Sequence, residues 1–339
     1  MVLSKKQSMI ENKKVAVFGG GSWGTALVKM FSENLSSIGW YMRSSQTIEY
    51  IKTNKHNPNY LTSTELHPEQ LDLSDDINKI IKDYDVLVFT IPSVYLISEL
   101  KKIKEPLHKK ILFSAIKGIV PESGLIVGEH FLEHYKIPIE NIGVITGPCH
   151  AEEVAMERLS YLTIACTKEE NASFLSNKLK SRYIRTKISD DIIGTEYAAM
   201  LKNIFAIAAG ISHGLGYGDN FQAVLMSNSI REMKRFIKKT HKMKRNINNS
   251  AYLGDLLVTG YSTFSRNRMF GNMIGKGYTV KSAMLEMSMV AEGYYATKSA
   301  FKIKETNGAE TPIIDAVYSI LYEEKNPKHI LEKLTKKLN

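Results

Sequence analysis

Lys202 is the residue on which chemistry in this chain would turn. It stands with Asn203 between Ala198-Ala-Met-Leu and Ile204-Phe-Ala-Ile. A cation in so apolar a run must snorkel to water, find a partner, or be kept as a working group with a shifted pKa. Asp255, in Gly254-Asp-Leu-Leu-Val-Thr, is likewise a carboxylate against an apolar run. Ser265-Arg-Asn-Arg gathers donors suited to an oxyanion, and arginine can hold a phosphate in bidentate fashion. Taken singly, each has a plainer account: Lys202 on a solvent edge, Asp255 as the cap of a helix beginning at Leu256, Arg266 as a bridge between helices. Taken together beside a nucleotide site they point to hydride transfer, in which a carbonyl oxygen must be protonated as hydride arrives. A lysine ammonium polarises and protonates that oxygen, and in the reverse direction neutral lysine is the base. For the reverse step its ordinary pKa of about 10.4 must fall, through desolvation or a neighbouring cation such as Lys117. Asp255 would oppose that fall while fixing the ammonium in place.

The nucleotide site is read from Lys14-Val-Ala-Val-Phe-Gly-Gly-Gly-Ser-Trp-Gly-Thr-Ala-Leu, where an apolar strand run breaks into glycines and resumes as a helix. Gly19, Gly21 and Gly24 stand at the GxGxxG spacing. The first two allow a tight turn and close approach of backbone to a pyrophosphate, the third lets helix pack on strand, and the helix N-terminus faces the anion. The strand before the glycines and the helical spacing of Ala26, Leu27, Met30 and Phe31 after them supply the context such a motif needs. An Asp or Glu about 20 residues past the glycines selects NADH by bonding the ribose 2′-hydroxyl, whereas an Arg accommodates the 2′-phosphate of NADPH. Here Arg43 falls at the end of the next strand and no acid appears before Glu49. NADPH is therefore expected in preference to NADH.

The elements that must carry these residues are those of an α/β protein, with a Rossmann-type doubly wound parallel sheet followed by a mainly α-helical part. Strands are expected at Val15 to Phe18, Ile38 to Arg43, Asp85 to Pro92, Lys110 to Ala115, Ile142 to Thr146 and Leu162 to Cys166. Two loops follow such strands at their carboxyl ends, Lys117-Gly118 and Gly147-Pro-Cys-His-Ala151, where doubly wound sheets hold ligands. From Asp191 the texture changes to helical patterns near 192–208, 221–239, 253–259, 280–286, 292–305 and 313–323. The expected domains are 1–190 and 191–339. Gly214-Leu-Gly-Tyr-Gly-Asp-Asn looks like a second glycine fingerprint, but no strand precedes it, so it reads as a loop between helices.

Composition narrows the function classes. The 339 residues suggest two domains, at roughly 150 residues each. With 43% hydrophobic and 24% charged residues, the composition is that of a globular protein. Met1 to Lys14 is polar and lacks the apolar run of a secretory signal, and no apolar stretch reaches the roughly 18 residues that span a bilayer, so a cytoplasmic protein without stable membrane insertion is expected. Two cysteines, Cys149 and Cys166, make no disulfide framework, and the nine scattered histidines give no metal-ligand spacing, so no metal is expected. Cys149 beside His150 is not read as a thiolate nucleophile, because adjacent residues rarely face each other. Part of the formal charge of +10 is local: Arg231 to Arg245 holds eight Lys or Arg and one Glu. Met226, Ile230, Met233 and Ile237 recur there at helical spacing, so the cations read as the wet face of a core helix. No aromatics interleave as a base-stacking surface requires, and nucleic acid is not an expected partner.

Several motifs in one order carry a family resemblance over roughly Lys14 to Leu321. They are Gly19-Gly-Gly-Ser-Trp-Gly-Thr-Ala-Leu, Ile116-Lys-Gly, Gly147-Pro-Cys-His-Ala-Glu-Glu-Val-Ala, Leu201-Lys-Asn-Ile-Phe-Ala-Ile-Ala-Ala-Gly, Gly214-Leu-Gly-Tyr-Gly-Asp-Asn, Gly254-Asp-Leu-Leu-Val-Thr, Ser265-Arg-Asn-Arg-Met-Phe-Gly and Val290-Ala-Glu-Gly. With these the sequence resembles the NAD(P)-dependent glycerol-3-phosphate dehydrogenases of bacterial type. The resemblance implies reduction of dihydroxyacetone phosphate to sn-glycerol 3-phosphate, a phospholipid precursor, by a Rossmann domain followed by a helical domain in a homodimer. It makes Lys202 the proton donor or acceptor with Asp255 beside it. It places Lys117, Gly147 and Asn267 on the substrate, with Ser265 and Arg266 near the phosphate. It lines the cofactor with Ser22, Trp23, Arg43, Lys117, Ala151, Arg266, Val290 and Glu292. Two departures stand out. Cys149 replaces the family's usual Ser or Thr, which puts that side chain's substrate contact in question, and Tyr261-Ser-Thr-Phe is unusual between Asp255 and Arg266. Two competitors remain: another small oxo acid or phosphorylated sugar as substrate, and a silent NADPH-binding sensor that uses its basic helix to reach a membrane or nucleic acid.

Overall fold

The computed structural model describes residues 10–287 and 291–339. They form two compact units, one of the residues up to Ile116 with Val127–Ile192, the other of Lys117–Ile126 with Ile193–Asn339. The short stretch Lys117–Ile126, within the range expected for the first domain, clusters with the second unit.

The first unit is built on eight strands: β1 Val15–Phe18, β2 Ile38–Tyr41, β3 Leu71–Ser74, β4 Val86–Phe89, β5 Ile111–Ser114, β6 Ile142–Thr146, β7 Ser160–Cys166 and β8 Ile184–Ser189. Their order is β3-β2-β1-β4-β5-β6-β7-β8. Val15–Phe18 and Val86–Phe89 are buried along their whole length, as central parallel strands covered on both faces must be. The helices α1 Ser22–Ser32, α2 Ser45–Asn54, α3 Ile77–Asp83, α4 Ser93–Leu100, α5 Val127–Tyr135, α6 Ala151–Ala155 and α7 Glu169–Leu179 connect them. All neighbours pair parallel except β6 and β7, which are antiparallel. The connection between these two, residues 147–159, carries only the five-residue helix α6. Two strands escaped the sequence reading, β3 and β8. Both are edge strands with half-open sides, so their sequences, Leu-Asp-Leu-Ser and Ile-Arg-Thr-Lys-Ile-Ser, lack the continuous apolar run of the centre.

The second unit is helical: α8 Ile192–Gly214, α9 Asp219–Thr240, a π-helical turn Ser250–Gly254, α10 Asp255–Tyr261, α11 Arg266–Gly275, α12 Val280–Glu286, α13 Glu292–Asn307, α14 Pro312–Leu321 and α15 Pro327–Thr335. The Gly214 stretch does join two helices, α8 and α9. Helix α8 is the axis. By length and composition it is the one helix among the described residues able to cross a membrane, yet 94% of its most apolar window is buried within the protein. A helix apolar all round is what a core position requires. Leu201, Ile204, Phe205 and Ile207 are fully buried in it, with Leu225, Met233 and Phe236 of α9 and Phe270 of α11 in the same core.

Helix α11 is not among the helices expected from the sequence, and two of its residues, Gly271 and Gly275, would ordinarily weaken a helix. They are contacts instead. A Cβ on Gly271 would lie 2.1 Å from the Ile207 carbonyl oxygen of α8, so only glycine lets the two backbones approach. A second device ties α9 to α14: the carboxylate of Glu232, wholly buried, accepts hydrogen bonds from the Ile313 and Ile314 amides, each at 2.9 Å. It satisfies the open N-terminus of α14 from another helix. Burial pushes the Glu232 carboxyl up to about 8 against the pull of those two amides. Gly271→Ala should cost about 3 kcal/mol, as overpacking against backbone does, and lower Tm by roughly 6–12 °C. Calorimetry of the purified variant reads this, and an unchanged Tm would mean the helices can separate freely.

Candidate active site

Beginning at the nucleotide loop, the strand β1 ends at Phe18 and the chain turns through Gly19, whose φ of +124° favours glycine. The carbonyls of this loop all point inward to side-chain donors. Thr90 Oγ1 donates to Phe18 O at 2.9 Å, Trp40 Nε1 to Gly19 O at 2.9 Å, Asn57 Nδ2 to Gly20 O at 3.0 Å and Thr25 Oγ1 to Gly21 O at 3.0 Å. The Gly19 amide donates to the Tyr41 carbonyl at 3.0 Å, which fixes the turn to β2. Helix α1 then starts at Ser22 with no side-chain cap on Gly21 and no acid in its first turn, and no heavy atom lies within 4 Å of where a Gly21 Cβ would be. A Cβ on Gly24 would come 2.1 Å from Gly19 O, so helix sits tight on loop. These residues fit a dinucleotide's pyrophosphate. Trp40, Asn57, Thr25 and Thr90, which hold the loop, were not singled out in the sequence. Their signal is weak there, because a buried polar residue reads like any other until its partner is known.

Arg43 stands two residues past the end of β2, with 63% of its side chain exposed. Its guanidinium lies 5.7 Å from the centre of the Tyr95 ring and 3.9 Å from the carboxylate of Glu99, which is buried on α4. Glu99 is already engaged by the Tyr41 hydroxyl at 2.5 Å and by Lys102 Nζ at 2.9 Å. Four strands along the same sheet from β2, Gly147 follows β6 with φ +123°, Cys149 is buried, and Ala151 opens α6.

The second unit gathers the other residues. Lys202 on α8 donates to Asp255 Oδ1 in a close buried contact; Lys202 is 4% exposed and Asp255 1%. The π-helical turn Ser250–Gly254 delivers Asp255 as the first residue of α10, and Thr259 Oγ1 donates to the Asp255 carbonyl at 2.6 Å. Lys117 Nζ lies 3.7 Å from Asp255 Oδ2, an ion pair longer than a hydrogen bond. Asn203, next to Lys202, donates from Nδ2 to the Lys117 carbonyl at 2.8 Å and so holds that segment in place. Two ammonium groups thus share one buried carboxylate, Lys202 buried with it and Lys117 20% exposed. Burial is the largest influence on Lys202 and lowers its pKa; Asp255 opposes, and Lys117 lowers it further. The net direction is down, as proton transfer in both directions requires.

The phosphate candidates lie at the start of α11 in the same unit. Ser265 is buried and accepts from the Arg268 amide at 3.3 Å as the cap of α11. Arg266, the first residue of α11, is exposed. Asn267 Oδ1 accepts from the Gly293 amide at 2.9 Å, fixing α11 to the start of α13, where Glu292 is half-buried. Val290 lies outside the described residues. The structure therefore joins Lys117, Lys202 and Asp255 directly and links Asn267 to the residue after Glu292. It places Gly19, Gly21, Ser22, Trp23, Gly24, Arg43, Gly147, Cys149 and Ala151 in the first unit.

Comparison with known proteins matches the chain in two parts. The description "NAD-dependent glycerol-3-phosphate dehydrogenase N-terminus" matches residues 14–172, and its C-terminus counterpart matches residues 191–332. The chain belongs to the NAD-dependent glycerol-3-phosphate dehydrogenase family. It is 34% identical over 312 residues to the glycerol-3-phosphate dehydrogenase (NAD(P)+) of Macrococcus caseolyticus, covering 91% of this chain and 94% of that one. To the protein of the same name from Clostridium botulinum it is 34% identical over 322 residues, covering 95% and 96%. The crystal structure of glycerol-3-phosphate dehydrogenase from Coxiella burnetii superposes with a TM-score of 0.87 at 27% identity, over 96% of this chain and 99% of that one. The Plasmodium falciparum structure, at 22% identity and TM-score 0.84, shares the fold.

Asp255→Asn in this member of the glycerol-3-phosphate dehydrogenase family would leave the buried Lys202 ammonium, and the partly exposed Lys117 beside it, without a carboxylate. The expected loss is about 3–5 kcal/mol, the cost of breaking the buried Lys202–Asp255 pair. Urea unfolding measures it; a loss under about 1 kcal/mol would mean water reaches Lys202.

Proposed function

We propose that this protein reduces dihydroxyacetone phosphate to sn-glycerol 3-phosphate, using NADPH in preference to NADH. The observation that carries the reading is the buried Lys202–Asp255 pair, with Lys117 beside it, within a member of this dehydrogenase family. When bound, the reduced nicotinamide supplies the hydride that adds to the substrate's C2. The chain supplies the proton and the field. The Lys202 ammonium, held by Asp255, donates its proton to the carbonyl oxygen as the C=O π bond opens, so that ketone becomes alcohol and lysine becomes neutral. Lys117 adds positive charge beside it, 3.7 Å from the buried Asp255 carboxylate, which stabilises the developing oxyanion. Arg266 and Asn267, with Ser265, bind the phosphate, and Lys117, Gly147 and Cys149 contact the substrate. Ser22, Trp23, Arg43, Lys117, Ala151, Arg266, Val290 and Glu292 line the cofactor. The enzyme works in the cytoplasm as a homodimer without membrane insertion, and its product enters glycerophospholipid synthesis. Light scattering at twice the chain mass supports the dimer, and a monomer mass removes it.

Absorbance loss from NADPH, and separately NADH, on adding dihydroxyacetone phosphate tests the reaction. Oxidation is expected with this ketone and inhibition by simple phosphate esters; binding of NADPH without oxidation would leave a sensor or another substrate. Lys202→Met should keep NADPH affinity and lower turnover by several orders of magnitude, whereas a variant with a tenth of parental activity would remove the lysine from its role. The pH sign follows from the lowered pKa. Reduction needs the ammonium and should fall as pH rises through that pKa, and glycerol 3-phosphate oxidation should rise over the same interval. Parallel profiles in the two directions would assign the titration to another group.

Arg43→Asp should lower the ratio of kcat/KM for NADPH over NADH by about tenfold or more, the scale of a lost charged hydrogen bond. An unchanged ratio would mean another residue reads the 2′-phosphate.

A further inference from the structure

The reaction leaves the basic run Arg231 to Arg245 without a use, and its geometry is specific. Of the formal charge of +10, this run alone accounts for +7, eight basic residues and one acid. Along α9, Arg231, Lys234 and Lys238 are exposed at the i, i+3, i+7 spacing of one helix face. Lys239 is exposed beside them, and past the end of the helix come exposed Lys242 and Lys244 with exposed Met243 between. The one acid in the run, Glu232, is directed inward to the amides of Ile313 and Ile314, so it neutralises nothing on the outer face. Among the described residues, Lys234, Lys238, Lys239, Lys242 and Lys244 form no ion pair. The chain's last residue extends the face: Asn228 Nδ2 donates to the Asn339 carbonyl at 2.8 Å, and Arg231 also reaches Asn339. Exposed Lys336 and Lys337 lie within three residues of that contact.

We infer that this face docks the protein on an anionic lipid surface, as a peripheral contact without insertion. Three observations favour lipid over the alternatives. Of the three arginines, Arg235 and Arg245 are tied to backbone carbonyls, of Glu310 and His241, leaving lysines to dominate the open charge. Lysines are compact charges on flexible stems that suit a diffuse anionic plane, whereas arginine forks read phosphates and bases one at a time. No aromatic side chain stands exposed in the run, since its one aromatic, Phe236, is fully buried, so bases would find nothing to stack on. A second copy of the chain is a poor occupant as well, because a two-fold contact would set like charges against each other.

The test is sedimentation of the full-length protein with vesicles of phosphatidylcholine alone or containing about 30% phosphatidylglycerol, at about 50 and about 500 mM salt. Binding to the anionic vesicles at low salt should exceed binding to neutral ones at least tenfold and vanish at high salt. The variant Lys234→Glu/Lys238→Glu/Lys242→Glu should lose at least tenfold in vesicle binding, with parental circular dichroism and parental NADPH oxidation. If that variant fails to fold, Gln at the same three positions should give a smaller loss in the same direction. Equal binding to both vesicle types, or parental binding by a folded variant, overturns the proposal. So does tighter binding to a short DNA duplex than to anionic vesicles at the same salt, which would assign the face to nucleic acid.

Discussion

The constraint from which the rest of the second unit follows is that a lysine ammonium is kept out of water. Lys202 sits on a helix whose other faces are closed by Leu201, Ile204 and Phe205, so it has no route by which to snorkel. A buried cation without a partner would neutralise or unfold its surroundings. Asp255 is therefore needed within contact distance, and it is brought there by an irregular π-helical turn, the kind of local departure from α-helix that recurs at functional sites. The second cation, Lys117, then settles the balance. One carboxylate facing two ammonium groups cannot fully offset burial, and the lysine's proton becomes easier to remove than in water.

Such a site works only if its parts do not drift. The close crossing of α8 and α11 at Gly271 fixes Asn267 against the helix that carries Lys202, and the Gly293 amide pins Asn267 Oδ1 from the third side. Asn203 does the same for Lys117 through its backbone carbonyl. In each case a backbone group, rather than another mobile side chain, is one partner of the bond, which keeps the rotamer entropy of the working residues low. The nucleotide loop follows the same rule with opposite polarity, its carbonyls being tied inward by Thr90, Trp40, Asn57 and Thr25.

What the sequence made legible follows from the same physics. Central strands and the core helix α8 announce themselves because burial on all sides forces a continuous apolar run, and Lys202 and Asp255 stood out because they break such runs. The edge strands β3 and β8 were hidden because one open side dilutes the apolar signal. Helix α11 was hidden because Gly271 answers to a neighbour, Ile207, that is far away in sequence. Asn203, Thr259 and Glu232 are of this kind too: their roles exist only through a partner brought by tertiary structure.

The two charged sites differ in a way that bears on selectivity. Lys202 lies buried, so its interactions with Asp255 are strong. Arg43 lies 63% exposed at the rim of its strand, with Glu99 at 3.9 Å drawing part of its charge, so any attraction it offers a 2′-phosphate is screened by solvent and salt. An exposed arginine biases the choice between two cofactors by a modest factor; it does not exclude one. Exclusion of NADPH would need an acid at the end of β2, and none of the residues from Met42 to Ile48 is acidic. Tolerance of both cofactors is thus a consequence of where the cation sits.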